Sequence, residues 1–287
     1  CNNRCTYCAI PLIRGVYRSR PMEELVKEAQ WLEEQGVREI NLIAQDTSGY
    51  GVDLYGGYRL AELIHKITEA TEKVYIRVLY CYPDKITDEL IREFRDNERL
   101  LKYIDLPIQH ISDRVLKAMN RHGNQKQIRE TIARLRREVP DITIRSTGIV
   151  GFPGETEEQF QETLDAVRAV NFMSSFSFCY SDRPGTAASR HTDKVEPAEK
   201  LRRLERLQAL QEALSSDWLK ARVGCKTDIL LEGASRKQDG EDAATESWQG
   251  RDPWGDAVNV SLPAGVGKPG LIVPVTIVTA KKHSLIG

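Results

Sequence analysis

The chain has 287 residues, enough for one large α/β domain and a small second domain. Its 41 basic and 42 acidic residues nearly cancel, so the whole chain carries no charge excess that would attract nucleic acid. No apolar run approaches the roughly 20 residues that a membrane-spanning helix needs. These features predict a cytoplasmic globular protein without membrane contact.

Six cysteines occur, and half of them crowd into the first eight residues. The crowded ones are Cys1, Cys5 and Cys8, and the scattered ones are Cys81, Cys179 and Cys225. A secreted disulfide scaffold would be shorter and richer in cysteine. One metal site at the beginning of the chain, with three ordinary thiols elsewhere, fits the pattern better.

The crowded cysteines form a C-x3-C-x2-C pattern. Three closely spaced thiolates can each bind one iron of a 4Fe–4S cluster and leave the fourth iron open. A structural zinc loop is the alternative, but zinc sites usually have four ligands and no second cysteine pair occurs in the sequence. The spacing therefore favours an iron–sulfur cluster on Cys1, Cys5 and Cys8.

Short β-branched segments alternate with amphipathic segments between residues 20 and 180. Helices are predicted over 21–35, 60–69, 88–96, 126–138 and 157–170, and strands over 39–44, 74–80, 103–108, 142–150 and 174–180. This alternation predicts an α/β fold with a parallel sheet and right-handed crossovers. Functional residues are then expected in the loops at the carboxyl ends of the strands.

A long charged helix over 197–220 ends the alternation. Short strands follow at 227–231, 257–260 and 271–278, separated by glycine, proline and a polar stretch over 234–245. We therefore predict an α/β domain over residues 1–220 and a small all-β barrel over 221–287. The polar stretch is predicted to be a mobile loop.

The cysteine spacing ahead of a βα repeat resembles the radical S-adenosylmethionine (SAM) superfamily. A finer resemblance to its methylthiotransferase family is carried by residues 8–11 (CAIP), 18–21 (RSRP) and 148–156 (GIVGFPGET). This resemblance implies a partial parallel (β/α) radical SAM barrel followed by a TRAM barrel. It also implies that the family's amino-terminal domain and the first barrel strand are absent, and that the chain is a fragment.

The resemblance further implies the cofactors. The three cysteines would bind a 4Fe–4S cluster whose open iron takes the amino and carboxylate groups of SAM. One electron then cleaves SAM to a 5′-deoxyadenosyl radical, and the enzyme replaces C–H by C–S–CH3. A second 4Fe–4S cluster is expected on the amino-terminal domain as the sulfur donor, together with a reductant such as flavodoxin.

Further cofactor contacts follow from the same resemblance. Tyr7 occupies the aromatic position between the last two cysteines, near the adenine. The segment Gln45-Asp46-Thr47 matches the loop that grips the amino group of the methionine. Arg145 and Ser146 are expected to hold the methionine carboxylate or the ribose, with polar packing inside the barrel as the alternative.

Two other groups of residues can be explained without a cofactor. Gln109 and His110 end a predicted strand, where a site role and a structural role are equally open. A basic run consists of Arg121, Lys126, Arg129, Arg134, Arg136 and Arg137. We interpret this run as the solvated face of a helix.

Two branches of the family compete for the substrate. Up to about residue 154 the chain is similar to the RimO branch, which modifies an aspartate of a small-subunit ribosomal protein. From about residue 155 it resembles the MiaB branch, which methylthiolates an isopentenylated adenosine beside the tRNA anticodon. A chimera joined at the shared motif over 151–156 is therefore a hypothesis, beside a divergent natural member.

We predict the RimO type, with a ribosomal protein or the ribosome as partner, because the strand-end loops carry the chemistry. The first alternative is the MiaB type, with tRNA as partner. The others are a non-catalytic RNA- or ribosome-binding protein with a structural zinc loop, and a related radical enzyme without sulfur insertion.

Overall fold

The structure is a computed structural model that describes residues 1–235 and 244–287. Most of the stretch predicted to be a mobile loop, residues 236–243, lies outside the described residues. The helices are α1 (Ile10–Arg14), α2 (Met22–Glu34), α3 (Val52–Tyr55), α4 (Leu60–Ala70), α5 (Asp88–Asp96), α6 (Asp113–Ala118), α7 (Gln125–Glu138), α8 (Glu157–Val170) and α9 (Pro197–Ala221). Short 3₁₀ turns occur at Thr47–Gly49, Pro83–Lys85 and Ala188–Arg190.

The first sheet contains five parallel strands in the order β1-β2-β3-β4-β5, each joined to the next by helical crossovers. They are β1 (Glu39–Leu42), β2 (Tyr75–Val78), β3 (Leu100–Asp105), β4 (Thr143–Val150) and β5 (Ser174–Cys179). The predicted α/β class and parallel sheet are confirmed. The prediction for β3 was displaced, since the strand begins at Leu100, which pairs with Ile76. It ends before Pro107, which has no N–H for the ladder.

The two faces of this sheet differ in chemistry. Ile76, Ile104 and Ile144 are buried against the helices in the main hydrophobic core. Since side chains alternate along a strand, their neighbours Arg77 and Arg145 point to the inner face. The helices therefore cover an apolar face, while the inner face of the partial barrel carries charged groups.

The second sheet is mixed and has the order β10-β11-β8-β7-β6-β9. Its strands are β6 (Lys226–Ala234), β7 (Thr245–Arg251), β8 (Ala257–Pro263), β9 (Ile272–Thr276), β10 (Thr279–Ala280) and β11 (Leu285–Ile286). Ile229, Trp248 and Val258 lie in its separate core. Sequence patterning missed β7, which has a glycine in its interior. Gly250 is required there, because a Cβ atom would lie 2.2 Å from the Leu230 carbonyl oxygen.

A turn of the second sheet, Asp252–Asp256, closes the amino-terminal end of the first sheet. Arg77 Nη1 donates to the Pro253 carbonyl oxygen at 3.1 Å. The Thr143 hydroxyl donates to the Trp254 carbonyl oxygen at 3.3 Å. The carboxyl end of the sheet is left as the accessible end. Within the residues that the structure describes, no helix combines the length and apolar character that crossing a membrane requires.

Two buried carboxylates hold this turn against the end of α9. Arg222 Nη2 lies 2.8 Å from Asp252 Oδ2, and Trp218 Nε1 donates to Asp256 Oδ2 at 2.8 Å. The Asp256 N–H donates to Asp252 Oδ1 at 2.9 Å. Burial, reinforced by the Asp252 charge, raises the pKa of Asp256 to about 6. The folded chain therefore binds a proton at Asp256 more tightly than the unfolded chain.

This raised pKa gives a pH prediction. The contribution of Asp256 to the free energy of unfolding should fall by about 2–3 kcal/mol as the pH rises from about 4 to above 6. Asp256→Asn keeps an acceptor for Trp218 and should lack this loss. Urea unfolding followed by tryptophan fluorescence at pH 4.5 and pH 7.5 measures the difference. The exposed Asp228→Asn serves as control, and an equal pH dependence in both variants would contradict the prediction.

Candidate functional site

The predicted metal ligands lie together on a loop over residues 1–9, called the Cys loop below. Cys5 is buried, with 7% of its surface exposed, whereas Cys1 and Cys8 are half-buried. None of the three is in a disulfide. The Thr6 N–H donates to the Met119 carbonyl oxygen at 2.9 Å, which ties the loop to the end of α6. The loop thus presents three free thiols on a supported backbone.

A buried polar network fixes the beginning of the Cys loop. Asn3 Nδ2 donates to Cys1 Sγ at 3.2 Å and to Asp46 Oδ2 at 2.7 Å. Lys85 Nζ donates to Asn3 Oδ1 at 2.8 Å and also contacts Asp46 Oδ2. Asp46 follows β1 and Lys85 follows β2. The network therefore joins the Cys loop to the carboxyl ends of both strands.

A second contact fixes Cys5. The Tyr82 hydroxyl lies 3.3 Å from Cys5 Sγ, and the Tyr82 N–H donates to Ser48 Oγ at 2.8 Å. When Cys5 is a thiolate, the hydroxyl is the donor of this hydrogen bond. Donors aimed at the sulfurs of Cys1 and Cys5 stabilise thiolates, which are the form that binds metal.

Gln45, Asp46 and Thr47, which were predicted to contact SAM, differ in their exposure to solvent. Asp46 has 1% of its surface exposed and belongs to the network that holds the Cys loop. Thr47 is also buried, and its hydroxyl accepts a hydrogen bond from the Ala44 N–H at 3.0 Å. Gln45 is exposed. The structure therefore gives Asp46 and Thr47 loop-building contacts and leaves the Gln45 side chain open.

Arg145 and Ser146 lie on opposite faces of β4, as strand alternation requires. Arg145 Nε donates to Asp105 Oδ1 at 2.9 Å, and the guanidinium lies 5.1 Å from the Phe176 ring centroid on the inner face. Ser146 has 2% of its surface exposed, and its hydroxyl donates to the Leu106 carbonyl oxygen at 2.9 Å. The structure therefore does not bring these two side chains together.

Tyr7 packs against a small apolar cluster behind the Cys loop. The cluster contains Val115, Met119, Phe152, Tyr180 and Ala188. Burial raises the pKa of Tyr7 above its ordinary value. The Tyr7 hydroxyl is therefore neutral, and the ring is held beside the cysteines.

The backbone is unusual where β2 and β3 end. Tyr80 has φ +59° and Gln109 has φ +70°, a left-handed conformation that residues other than glycine adopt uncommonly. Such conformations are concentrated at functional sites. Tyr80 is also exposed, and its N–H donates to Asp105 Oδ2 at 3.0 Å. These two bends turn the chain sharply at the accessible end of the sheet.

The 151–156 motif builds a turn, and its charged residue faces inward. Glu155 accepts the Phe152 N–H at 3.0 Å and lies 3.1 Å from Arg203 Nη1 of α9. Burial raises the pKa of Glu155 to about 7. Neighbouring His110 is fully buried, and burial lowers its pKa to about 3. Of the two roles left open for His110, the structure supports the structural one.

Several residues near the cysteines were not predicted from the sequence. Asn3 contacts Cys1 within the Cys loop itself. Tyr82 reaches Cys5, and Lys85 reaches Asn3, only because separate loops meet in the fold. The interpretation of Arg121 as part of a solvated helix face was wrong. Arg121 precedes α7, has 8% of its surface exposed, and stacks over the Tyr82 ring at 4.0 Å. It folds back beneath the Cys loop.

The donor set suits an iron–sulfur cluster. Within residues 1–235 and 244–287, no three His, Cys, Asp or Glu side chains converge on one metal ion. In a cubane cluster each cysteine binds a different iron, so three thiols on one loop match three irons in number and chemistry. The structure thus places three candidate cluster ligands on one loop beside the carboxyl ends of a parallel α/β sheet.

The family model described as the Radical SAM superfamily matches residues 1–167. The chain belongs to this superfamily, and the curated relatives that it resembles are named as methylthio-transferring enzymes.

Two relatives illustrate both branches of the methylthiotransferase family. A tRNA-2-methylthio-N(6)-dimethylallyladenosine synthase of Lawsonia intracellularis is 43% identical over 291 residues, covering 100% of this chain and 63% of the relative. A ribosomal protein uS12 methylthiotransferase RimO of Carboxydothermus hydrogenoformans is 46% identical over 232 residues, covering 81% of this chain and 53% of the relative. Other RimO relatives match all 287 residues. A join at residues 151–156 is therefore not required by these similarities.

The fold is shared with a solved structure of lower sequence similarity. The radical SAM methyltransferase TsrM of Kitasatospora setae, with cobalamin and a 4Fe–4S cluster bound, has a TM-score of 0.55 and 19% identity. The match covers 66% of this chain and 37% of TsrM. The chain spans 63% of the length of the Lawsonia relative and 53% of the Carboxydothermus relative.

The polar network gives a stability prediction. Asp46→Ala leaves the half-buried Lys85 without its carboxylate, which should lower the free energy of unfolding by about 3 kcal/mol. Asp84→Ala removes an exposed carboxylate from the neighbouring loop and should change it by less than about 0.5 kcal/mol. Urea unfolding at pH 7 measures both variants. Equal losses would show that the Asp46–Lys85 contact does not hold the Cys loop.

Proposed function

We propose that this chain is the radical SAM part of a methylthiotransferase in which Cys1, Cys5 and Cys8 hold a 4Fe–4S cluster. The Cys loop is the observation that carries the proposal. It presents three free thiols beside the carboxyl ends of a parallel sheet, with hydrogen-bonding groups of Asn3 and Tyr82 on two of the sulfurs. Membership of the Radical SAM superfamily supports the same assignment.

SAM binds between the Cys loop and the inner face of the sheet in this proposal. Tyr7 lies beside the adenine, Gln45 extends from the loop after β1, and Arg145 approaches the carboxylate or ribose. Asp46 and Thr47 act by holding the loop. Ser146 faces the helices and is not retained as a contact. When bound, the cluster supplies the electron that cleaves SAM to a radical able to abstract hydrogen from the acceptor.

We propose an aspartate of a small-subunit ribosomal protein as the acceptor. The 46% identity to a uS12 methylthiotransferase supports this substrate. A tRNA adenosine is the second candidate, because a tRNA-modifying relative matches the entire chain. The partner is then a ribosomal protein, the ribosome or, for the second candidate, tRNA.

The domain assignment completes the proposal. Residues 1–220 form the radical SAM core and residues 221–287 a TRAM module that docks the acceptor. The relatives are longer than this chain, which supports a full-length enzyme with an amino-terminal methylthiotransferase domain. A second 4Fe–4S cluster on that domain supplies sulfur, and a low-potential reductant such as flavodoxin supplies electrons.

The first test is 5′-deoxyadenosine formation. The chain is reconstituted anaerobically with iron and sulfide, and SAM and dithionite are added. We expect the nucleoside from the parent and a loss of at least about tenfold from Cys5→Ala, because one iron then lacks its thiolate. Cys225→Ala, far from the Cys loop in sequence, is the matched control and should retain activity.

The acceptor is identified by following the abstracted hydrogen. A uS12 peptide is deuterated at the carbon-bound side-chain hydrogens of its aspartates, and a tRNA is deuterated at carbon 2 of the adenosine. Deuterium in 5′-deoxyadenosine only with the peptide would support the ribosomal protein. Deuterium only with tRNA would replace it by the second candidate. A reconstituted cluster that yields no nucleoside would contradict catalysis by this chain.

A further inference from the structure

The buried arginines differ in how their charge is compensated. They are Arg77, Arg121, Arg203 and Arg222. Three of them lie within 3.1 Å of a buried or half-buried carboxylate. Arg77 lies 2.7 Å from Glu39, Arg203 lies 3.1 Å from Glu155, and Arg222 lies 2.8 Å from Asp252. Arg121 is the exception.

Arg121 forms no ion pair with a carboxylate among residues 1–235 and 244–287. One of its Nη atoms donates to the Pro107 carbonyl oxygen. Its guanidinium carbon lies 4.0 Å from the centroid of the Tyr82 ring. The Tyr82 hydroxyl in turn lies 3.3 Å from Cys5 Sγ. The guanidinium is therefore stacked on the residue that contacts the cysteine.

A buried guanidinium without a counter-charge is unfavourable, so buried charges in proteins are usually paired. The chemistry around Arg121 offers one candidate anion, the thiolate of Cys5. Tyr82 contacts both the guanidinium and Cys5 Sγ, so it joins Arg121 to the Cys loop. Arginine keeps its proton in proteins, and Arg121 is therefore a fixed cation at this position.

We propose that Arg121 is the counter-charge of the cysteine-bound cluster and sets its reduction potential. This inference rests on the proposed function, because it requires the cluster on the Cys loop. Arg121 acts through Cys5 and Tyr82 and is a positioning residue that does not touch substrate. Arg121 lies far from the three cysteines in the sequence, so the cysteine spacing alone does not indicate this charge.

The physical effect has a definite sign. One-electron reduction by an external donor adds one negative charge to the cluster and its thiolates. A fixed cation beside Cys5 in a buried environment favours that added charge, because Coulomb interactions are strong where water is excluded. Net charge and hydrogen bonds to the sulfurs are among the factors that set iron–sulfur potentials. Loss of the Arg121 charge should therefore make the potential more negative.

The test is a redox titration of the reconstituted chain. Dithionite is the reductant, mediators are present, and electron paramagnetic resonance measures the reduced cluster. We expect a more negative midpoint potential for Arg121→Gln than for the parent. Arg121→Lys keeps the charge and should lie closer to the parent. Lys117→Gln removes an exposed cation from α6 and should leave the potential unchanged.

The variants separate charge from packing. An unchanged potential in Arg121→Gln, or equal shifts in Arg121→Gln and Arg121→Lys, would overturn the inference. If Arg121→Gln retains no cluster, its iron content is compared with that of Arg121→Lys. Iron retained only by the lysine variant supports the charge, and iron lost equally from both overturns it. A parent without any cluster would refute the proposed function, whereas a parent cluster insensitive to residue 121 refutes this inference alone.

Discussion

The buried contact between Asp46 and Lys85 is the interaction on which the site depends. It joins the loop after β1 to the loop after β2, and Asn3 adds the Cys loop to the same network. Few apolar contacts could replace it, because Leu12 and Ile13 of the adjoining α1 are exposed. The position of Cys1 therefore depends on polar contacts, in which each unpaired buried group is costly, whereas Tyr7 adds apolar packing beside Cys5 and Cys8.

The two faces of the first sheet have different tasks. Apolar side chains such as Ile104 pack against the helices, and charged ones such as Arg77 and Arg145 face inward. Arg77 binds the turn that closes the amino end of the sheet. Arg145 pairs with Asp105, the last residue of β3, on the same inner face. The same alternation thus anchors the second sheet through Arg77 and places a charged pair on the inner face.

Much of this could be predicted from the sequence, because periodicity and local spacing carry the information. The cysteine pattern, the six longer helices and the parallel strands needed no long-range contact, whereas the short helices α1, α3 and α6 were not predicted. Strand alternation also separates Arg145 from Ser146, although both were assigned to one site. The burial of Arg121 could not be predicted from periodicity or local spacing. Its neighbours in sequence are basic and solvated, and only the return of the chain beneath the Cys loop buries it.

Strand β7 is a second feature that the sequence pattern did not predict. Its sequence is polar and contains Gly250, so neither apolar alternation nor β propensity indicates a strand. It forms because β6 and β8 flank it and because glycine allows the close approach of Leu230. Lys85 and Tyr82 likewise gain their roles from neighbouring loops. Residues defined by long-range contacts are the ones that local pattern cannot identify.

Metal and sulfide content tests the central claim most directly. The chain is purified anaerobically, reconstituted, and analysed for iron, acid-labile sulfide and zinc, with Cys5→Ala alongside. One cubane on the Cys loop predicts about four iron and four sulfide per chain in the parent, and a clear loss of both in the variant. Stoichiometric zinc without sulfide in the parent would contradict the account and support a structural zinc loop.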